Sequence, residues 1–182
     1  LIRISDNGLE PNQLQVVMPT PYATANFTDA TTCLVPANEW THIAVTCDVA
    51  TGHLVIYING ETVLDTTGNQ FVPVNLGQPK TDAQQKDHFF HIGYSYAAGR
   101  ELHGEICEVR IWNTVRTQEQ IAANVYEVDP ASEGLVAYWK FDEGSGETIR
   151  DHTGNNNSGT AHETLKWNQV SLPEAPSGDG DN

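Results

Sequence analysis

Residues 40–60, WTHIAVTCDVATGHLVIYING, decide the fold, because apolar and polar side chains alternate on both sides of a turn. Successive residues of a β-strand point to opposite faces, so each half of this stretch is predicted to be a strand with one apolar face. The turn-like residues 49–52 join the strands as a hairpin that pairs Val45 with Ile56. This register gives the hairpin a single apolar face made of Ile43, Val45, Cys47, Leu54, Ile56 and Ile58.

Alternation of the same kind predicts further short strands, and turns rich in Gly and Asn separate them. Thr117 and Gln120 form a capping-box pattern ahead of Ile121 and Val125, which predicts one short helix. Many short strands with one brief helix are typical of an all-β, two-sheet antiparallel sandwich of the jelly-roll type. The further strands are predicted at residues 1–4, 13–18, 89–94, 105–112 and 135–141.

We expect the sandwich to occupy residues 1–170, with additional N-terminal strands upstream of Leu1. Residues 171–182 are rich in Pro, Gly, Ser and Asp, and this composition predicts a flexible acidic tail. The chain has 24 acidic and 9 basic residues and a formal net charge of −15. Such a surface repels phosphate and anionic lipid, so nucleic acid is not an expected partner. No apolar run approaches the roughly 20 residues that a membrane span needs, so no direct membrane insertion is expected.

The three cysteines cannot all pair with one another. If the chain folds back at residues 36–39, Cys33 faces residue 42, and Cys47 lies on the order of 17 Å further along, beyond disulfide reach. We therefore predict free, buried thiols, with Cys47 and Cys107 on the apolar sides of their strands.

Three segments resemble laminin-G-like domains of the concanavalin A-like lectin/glucanase superfamily. Residues 40–60 are similar to the central hairpin of those domains. Residues 104–113, GEICEVRIWN, are similar to their GxIDEVRIWN segment, and the capped helix follows at the same place. Residues 134–146, GLVAYWKFDEGSG, resemble a strand that usually begins such a domain. Here we expect this segment to complete the sandwich from its C-terminal side, and the alternative is a second domain that is cut short.

The resemblance implies a non-catalytic recognition module that is extracellular, with a glycan on a bacterial cell surface as the leading ligand. The alternative is a protein-interaction or structural accessory domain of a lipoprotein in a nutrient-uptake assembly anchored in the outer membrane. An enzyme whose active domain lies upstream is a third hypothesis. Because one fold serves many functions, each candidate site needs its own argument from its residues.

Glu105 and Glu108 resemble the catalytic carboxylates that glucanases of this fold carry on one strand. Retaining hydrolysis needs two carboxyl groups about 5–5.5 Å apart on the same side of the sugar. On a regular strand, residues three apart point to opposite faces. Position 107, where the glucanase aspartate would lie, is Cys. We therefore predict no catalytic residues and no enzymatic activity.

A candidate sugar site lies in the loop at residues 93–101, which joins two predicted strands and should lie at the rim of the sandwich. Sugars bind exposed aromatic rings that have polar groups beside them. The predicted ligand-binding residues are Tyr94, Tyr96, Arg100 and Glu101.

A candidate calcium site lies in the Gly-rich turn at residues 142–157. Calcium takes six to eight oxygen ligands, and the resemblance implies that a calcium ion is common in this family. The alternative is an ordinary turn in which these side chains bond their own backbone. If calcium binds, Asp151→Ala should remove its stabilising effect and leave the calcium-free stability nearly unchanged. The predicted calcium ligands are Asp142, Asp151, Asn155 and Asn157.

Overall fold

The computed structural model describes residues 2–5, 8–20, 24–71, 80–81, 87–88, 90–93, 101–161 and 165–172. These residues contain twelve β-strands and one short helix. In chain order the elements are β1 (Ile2–Ile4), β2 (Leu14–Pro19), β3 (Thr24–Phe27), β4 (Ile43–Asp48), β5 (His53–Ile58), β6 (Glu61–Thr66), β7 (Lys80–Thr81), β8 (Asp87–His88), β9 (Val109–Trp112), α1 (Gln118–Ala122), β10 (Leu135–Trp139), β11 (Thr148–Ile149) and β12 (Gly159–Thr160).

The hairpin that the sequence predicts is present as β4 and β5, with β6 added on the far side of β5. Val45 lies opposite Ile56, so the predicted register is confirmed. The connecting turn closes through the Gly52 N–H, which donates to the carbonyl oxygen of Asp48 at 2.9 Å. Gly52 has a φ of +68°, and a Cβ there would lie 1.9 Å from the carbonyl oxygen of Asn69. Only glycine fits this turn.

The sheet β1-β2-β3 faces the sheet β4-β5-β6 across a shared apolar cluster, which confirms the predicted antiparallel β-sandwich. All six residues of the predicted apolar face belong to this cluster. Burying a side chain such as Leu or Ile contributes roughly 1.5–3 kcal/mol, so this cluster is the main source of stability for the two sheets. The buried residues of this cluster are Leu14, Val16, Phe27, Cys33, Leu54, Ile56 and Phe71.

The other face of β5 is covered by helix α1. Ile121 packs against Val55 and Tyr57, and all three side chains are buried. The helix begins at the predicted cap, where Thr117 Oγ1 accepts a hydrogen bond from the backbone N–H of Gln120 at 3.3 Å. The predicted capping box is therefore confirmed.

In the C-terminal segment, β10 pairs antiparallel with β9. That residues 134–146 complete the sandwich stays a prediction. Strand β9 begins only at Val109, not at residue 105, because Glu108 has a φ of +56° and interrupts the regular strand. Phe141 has a φ of +62°, and β10 ends two residues before it.

All three cysteines are free. Cys33 and Cys47 both contact the main cluster, so the core-facing position predicted for Cys47 is confirmed. Cys33 does not face residue 42: its carbonyl oxygen accepts from the Leu14 N–H at 2.8 Å, so it lies beside β2. Cys107 is half-buried, and burial raises the pKa of its thiol.

Two predicted segments lie partly outside the described residues. Residues 90–93 of the strand predicted at 89–94 are described, and none of them belongs to a strand. Of the acidic tail predicted at residues 171–182, only residues 171 and 172 are described.

Candidate functional site

The predicted sugar site is described only at its edges. Tyr94, Tyr96 and Arg100 lie outside the described residues, and Glu101 is exposed. The Leu102 N–H donates to the carbonyl oxygen of Gly93 at 2.8 Å. The two ends of the predicted loop therefore meet at one place on the surface.

An aromatic ring that the sequence analysis did not single out lies three residues before Gly93. Phe90 is 48% exposed, and its ring stacks on Trp139 with 5.8 Å between centroids and 21° between planes. Trp139 is buried, and its Nε1–H donates to the carbonyl oxygen of Asn157 at 2.8 Å. An exposed ring supported by a fixed one can accept the C–H face of a sugar. The two adjacent aromatic residues Phe89 and Phe90 were the available signal in the sequence.

Asp151 is the hydrogen-bonding centre of the predicted calcium turn. Asp151 is buried, with only 6% of its surface exposed. Oδ1 accepts from the Tyr138 N–H at 3.1 Å and from the N–H and Oγ1–H of Thr153 at 3.0 and 2.8 Å. Oδ2 accepts from the Asn157 N–H at 3.0 Å. Burial on its own raises the pKa of Asp151, but these hydrogen bonds outweigh it, so the pKa lies below its ordinary value.

The two asparagines of this turn fasten it to strand β10. Nδ2 of Asn155 and Nδ2 of Asn157 donate to the carbonyl oxygen of Val136 at 3.0 and 2.9 Å. Asp151 bonds the backbone of its own turn, as in the alternative stated above, whereas the two asparagines bond strand β10. Asp151 is a poor fit for calcium, because both its oxygens already accept hydrogen bonds from the chain. Calcium binding by this set of four residues stays a prediction.

Asp142, the fourth predicted calcium ligand, belongs to a different group. The ligand atoms of Asp142, Glu143 and His152 all lie within 4.8 Å of one another. His152 Nε2 is 3.4 Å from Asp142 Oδ1. Within the described part of the chain, this is the one such group of three possible metal ligands. The sequence analysis missed Glu143 and His152, whose meeting depends on the turn between them.

Glu108 is tied into a buried polar network and is not available to a ligand. Its Oε2 accepts from Arg110 Nη2 at 2.6 Å and from the hydroxyl of Tyr138. The Arg110 side chain is 7% exposed and also donates to the carbonyl oxygens of Asn124 and Tyr126. Burial, followed by the Glu108 carboxylate, raises the pKa of Tyr138.

Glu105 is exposed and has a different partner, Asn168, whose Nδ2 donates to Glu105 Oε1 at 2.8 Å. The φ of +56° at Glu108 means that the regular-strand geometry used in the sequence analysis does not hold there. The two carboxylates nevertheless engage separate partners, one on the surface and one in the interior. This arrangement differs from a pair of carboxylates that face one sugar.

His42 is a half-buried histidine close to the same network. Burial, and then the positive charge of Arg110, lowers the pKa of His42 to about 4. Its Nδ1 is buried without a hydrogen-bond partner. The imidazole is therefore neutral at physiological pH.

A cleft of about 410 Å³ lies between the end of β9 and helix α1. Arg116 stacks over the Trp112 ring with 4.1 Å between the guanidinium carbon and the ring centroid. Trp112 is therefore covered by a side chain of its own protein and offers no open aromatic face at this point. The cleft is lined by Thr114, Val115, Arg116, Gln120, Ser132 and Glu133.

Comparison with known proteins agrees with the fold. Residues 2–122 match the laminin G family model described as the concanavalin A-like lectin/glucanases superfamily. A crystal structure of a proposed carbohydrate-binding protein from Bacteroides ovatus is 32% identical to this chain, with a TM-score of 0.69. The match covers 95% of this chain and 48% of that one, so the chain spans about half the length of that protein.

No curated protein matches the chain significantly in the corresponding search. The helix in the described residues is too short and too polar to cross a bilayer. The family match extends over well more than half of the sequence, and the solved structure matches nearly all of it. On these grounds the chain belongs to the concanavalin A-like lectin/glucanases superfamily, within its laminin-G-like branch.

Proposed function

We propose that this chain is a non-catalytic module that binds glycans outside the cytoplasm, on a bacterial cell surface. The observation that carries the proposal is the similarity over 95% of the chain to a proposed carbohydrate-binding protein. The superfamily includes both lectins and glucanases, so the site residues must separate binding from hydrolysis. The hydrogen bonds that Glu108 accepts from Arg110 and Tyr138 favour sugar binding over hydrolysis. Glu108 is then not free to act together with Glu105 as a pair of catalytic carboxylates.

We place the glycan at the surface marked by Phe90 and by the loop whose ends meet at Gly93 and Leu102. Phe90 offers an exposed ring on a buried support, and a sugar ring stacks on such a face without needing a charged group. The sequence of this loop contains the two tyrosines and the polar residues predicted to contact the ligand. The net charge of −15 favours a neutral glycan over an acidic one, because like charges repel.

Binding of a neutral polysaccharide panel, by glycan array and then by calorimetry, tests this proposal. Phe90→Ala should weaken binding about tenfold, since loss of a stacking ring costs on the order of 1.4 kcal/mol. Val115→Ala is the matched control. Val115 is also exposed, at 54%, but it lines the cleft between β9 and helix α1 and does not belong to the proposed glycan surface. Both variants should keep the wild-type melting temperature within a few degrees.

Three results decide between the hypotheses. Weaker binding in Phe90→Ala alone supports the site. Equal binding in both variants would place the glycan elsewhere. No binding to any neutral glycan would end the glycan proposal.

The second candidate function is a protein-interaction or accessory domain of a lipoprotein in an outer-membrane uptake assembly. Several large apolar side chains are exposed among the described residues, and such side chains are enriched where proteins meet. Co-purification of the intact protein with one stoichiometric outer-membrane partner, together with silence on the glycan array, would support it. The exposed large apolar residues are Ile2, Leu34, Val49, Phe90, Leu102, Ile106, Val115, Leu165 and Val170.

Calcium at Asp142, Asp151, Asn155 and Asn157 stays a separate proposal. An ion that binds only the folded protein adds stability, about 2.7 kcal/mol at a concentration 100-fold above its dissociation constant. Melting curves recorded in calcium and in chelator test it. A higher melting temperature in calcium would support calcium binding, and coincident curves would rule it out.

A further inference from the structure

We propose that Asp142, Glu143 and His152 form a binding site for a first-row divalent cation such as zinc. This set shares Asp142 with the calcium prediction and no residue with the proposed glycan surface. The three ligand atoms lie within 4.8 Å of one another. This inference does not rest on the proposed function.

Two of the ligands are held by hydrogen bonds that use neither Glu143 Oε2 nor the ring of His152. The backbone N–H of Arg150 donates to Glu143 Oε1 at 2.7 Å, and this bond holds the two arms of the turn together. Gly144 and Gly146 have φ values of +67° and +86°, so the chain can reverse between those arms. The backbone N–H of His152 donates to the carbonyl oxygen of Tyr138 at 2.8 Å. Glu143 and His152 are therefore positioned before any ion binds.

One donor atom on each of these two residues makes no hydrogen bond. Glu143 Oε2 and His152 Nε2 are both screened from solvent, and neither makes a hydrogen bond. Leaving a buried polar atom unpaired is unfavourable. The neighbouring carboxylate of Asp151 accepts four hydrogen bonds, so the lack of partners is not a general property of this turn. A single cation between Glu143 and His152 would satisfy both atoms.

The kinds of donor atom select the class of ion. An imidazole nitrogen with two carboxylate oxygens suits zinc and similar first-row ions, whereas calcium takes oxygen ligands only and more of them. Ligand atoms of a tetrahedral zinc site, at about 2.0–2.1 Å from the metal, lie roughly 3.3 Å apart. His152 Nε2 and Asp142 Oδ1 are 3.4 Å apart, close to that spacing. A fourth position would be left for water.

The competing arrangement needs no metal and is an ion pair between His152 and the carboxylate of Asp142, whose Nε2 and Oδ1 atoms are 3.4 Å apart. A zinc titration separates the two, because a pair that is complete in itself would bind no zinc.

Calorimetric titration of the chelator-treated protein with zinc chloride at neutral pH tests the site, with calcium chloride in a parallel titration. We expect one zinc per chain, and any heat from calcium should be the same in His152→Asn as in wild type, because calcium takes oxygen ligands only. His152→Asn should raise the dissociation constant about 100-fold, and Glu143→Gln, which keeps the acceptor for Arg150, about tenfold. The matched control is His103→Asn, because His103 is an exposed histidine outside the group.

Circular dichroism of each variant separates loss of the site from loss of the fold. If His152→Asn does not fold, Glu143→Gln alone decides the question. The proposal is overturned if wild-type protein binds no zinc, if Glu143→Gln binds zinc as tightly as wild type, or if His152→Asn weakens calcium binding as much as zinc binding. Equal losses in the His152 and His103 variants would also overturn it, since surface histidines would then account for the binding.

Discussion

Asp151→Ala should lower the free energy of unfolding by about 3–5 kcal/mol, with or without calcium. The substitution removes a carboxylate that accepts four hydrogen bonds and leaves their donors behind. The Tyr138 N–H belongs to a residue with no exposed surface, so it cannot recover its bond from water. Thr153 and Asn157 are more accessible, and water can replace part of what they lose.

The magnitude follows from these donors. A buried donor without an acceptor costs about 1–3 kcal/mol, and the Tyr138 N–H should lie at the upper end of that range. The donors of Thr153 and Asn157 add smaller amounts. For a chain of this size, each kcal/mol shifts the melting temperature by about 2–4 °C. We therefore expect a melting temperature lower by roughly 6–20 °C, measured by differential scanning calorimetry.

Asp29→Ala is a matched control, because Asp29 and Thr31 have the same spacing as Asp151 and Thr153. Asp29 Oδ1 accepts from the N–H and Oγ1–H of Thr31 at 2.8 and 2.6 Å and from the Thr32 N–H at 2.9 Å. This group lies on the surface, where water replaces the lost bonds. The melting temperature of Asp29→Ala should therefore fall much less. Equal losses in the two variants would refute the reasoning from burial.

The pH dependence of Asp151 gives a second measurement of the same effect. Its pKa in the folded protein lies below the ordinary value of 3.8, so the folded state favours the ionised form. The stabilisation is therefore complete above pH 3.8 and is lost as the pH falls through the folded pKa. The difference in stability between wild type and Asp151→Ala should shrink in that acidic range. A difference that stays constant would contradict the depressed pKa.

Three further predictions address other parts of the molecule. The stability of wild type should fall as the pH drops from 6.5 to about 4, because burial and Arg110 lower the pKa of His42, and His42→Gln should reduce this fall in urea denaturation. Thr117→Ala should cost about 1 kcal/mol in the same assay, since it removes the helix cap. Purified protein should release no reducing sugar from glucan or galactan, and activity that disappears in Glu105→Gln or Glu108→Gln would contradict the non-catalytic assignment.

The register of the hairpin could be predicted to the residue because its signal is local. Period-two alternation fixes which side chains share a face, and a slip of one residue would expose the whole apolar face of β4 and β5. The capping box at Thr117 is equally local. The left-handed backbone at Glu108 is not visible in the sequence, so the strand predicted from residue 105 was too long.

The turn at residues 142–157 shows why candidate sites were harder to predict. An aspartate that binds calcium and an aspartate that accepts backbone hydrogen bonds can stand in similar stretches of sequence. Only the positions of the hydrogen-bond donors around the carboxylate in the folded protein distinguish the two cases. The expectation that Asp151→Ala would leave the calcium-free stability unchanged conflicts with the four bonds that Asp151 accepts. Glu143 and His152 were missed because their proximity depends on the bond from Arg150, a tertiary detail.

Helix α1 covers the hairpin although a long stretch of chain separates them. Thr62 Oγ1 of β6 donates to Gln118 Oε1 of the helix, a contact that spans 56 residues. Closing so long a loop costs entropy before any contact repays it, whereas β4 and β5 meet across a four-residue turn. We therefore expect the hairpin to form early in folding and the helix to dock late. Late contacts govern how fast a protein unfolds, so the lifetime of the folded module depends on the docking of this five-residue helix.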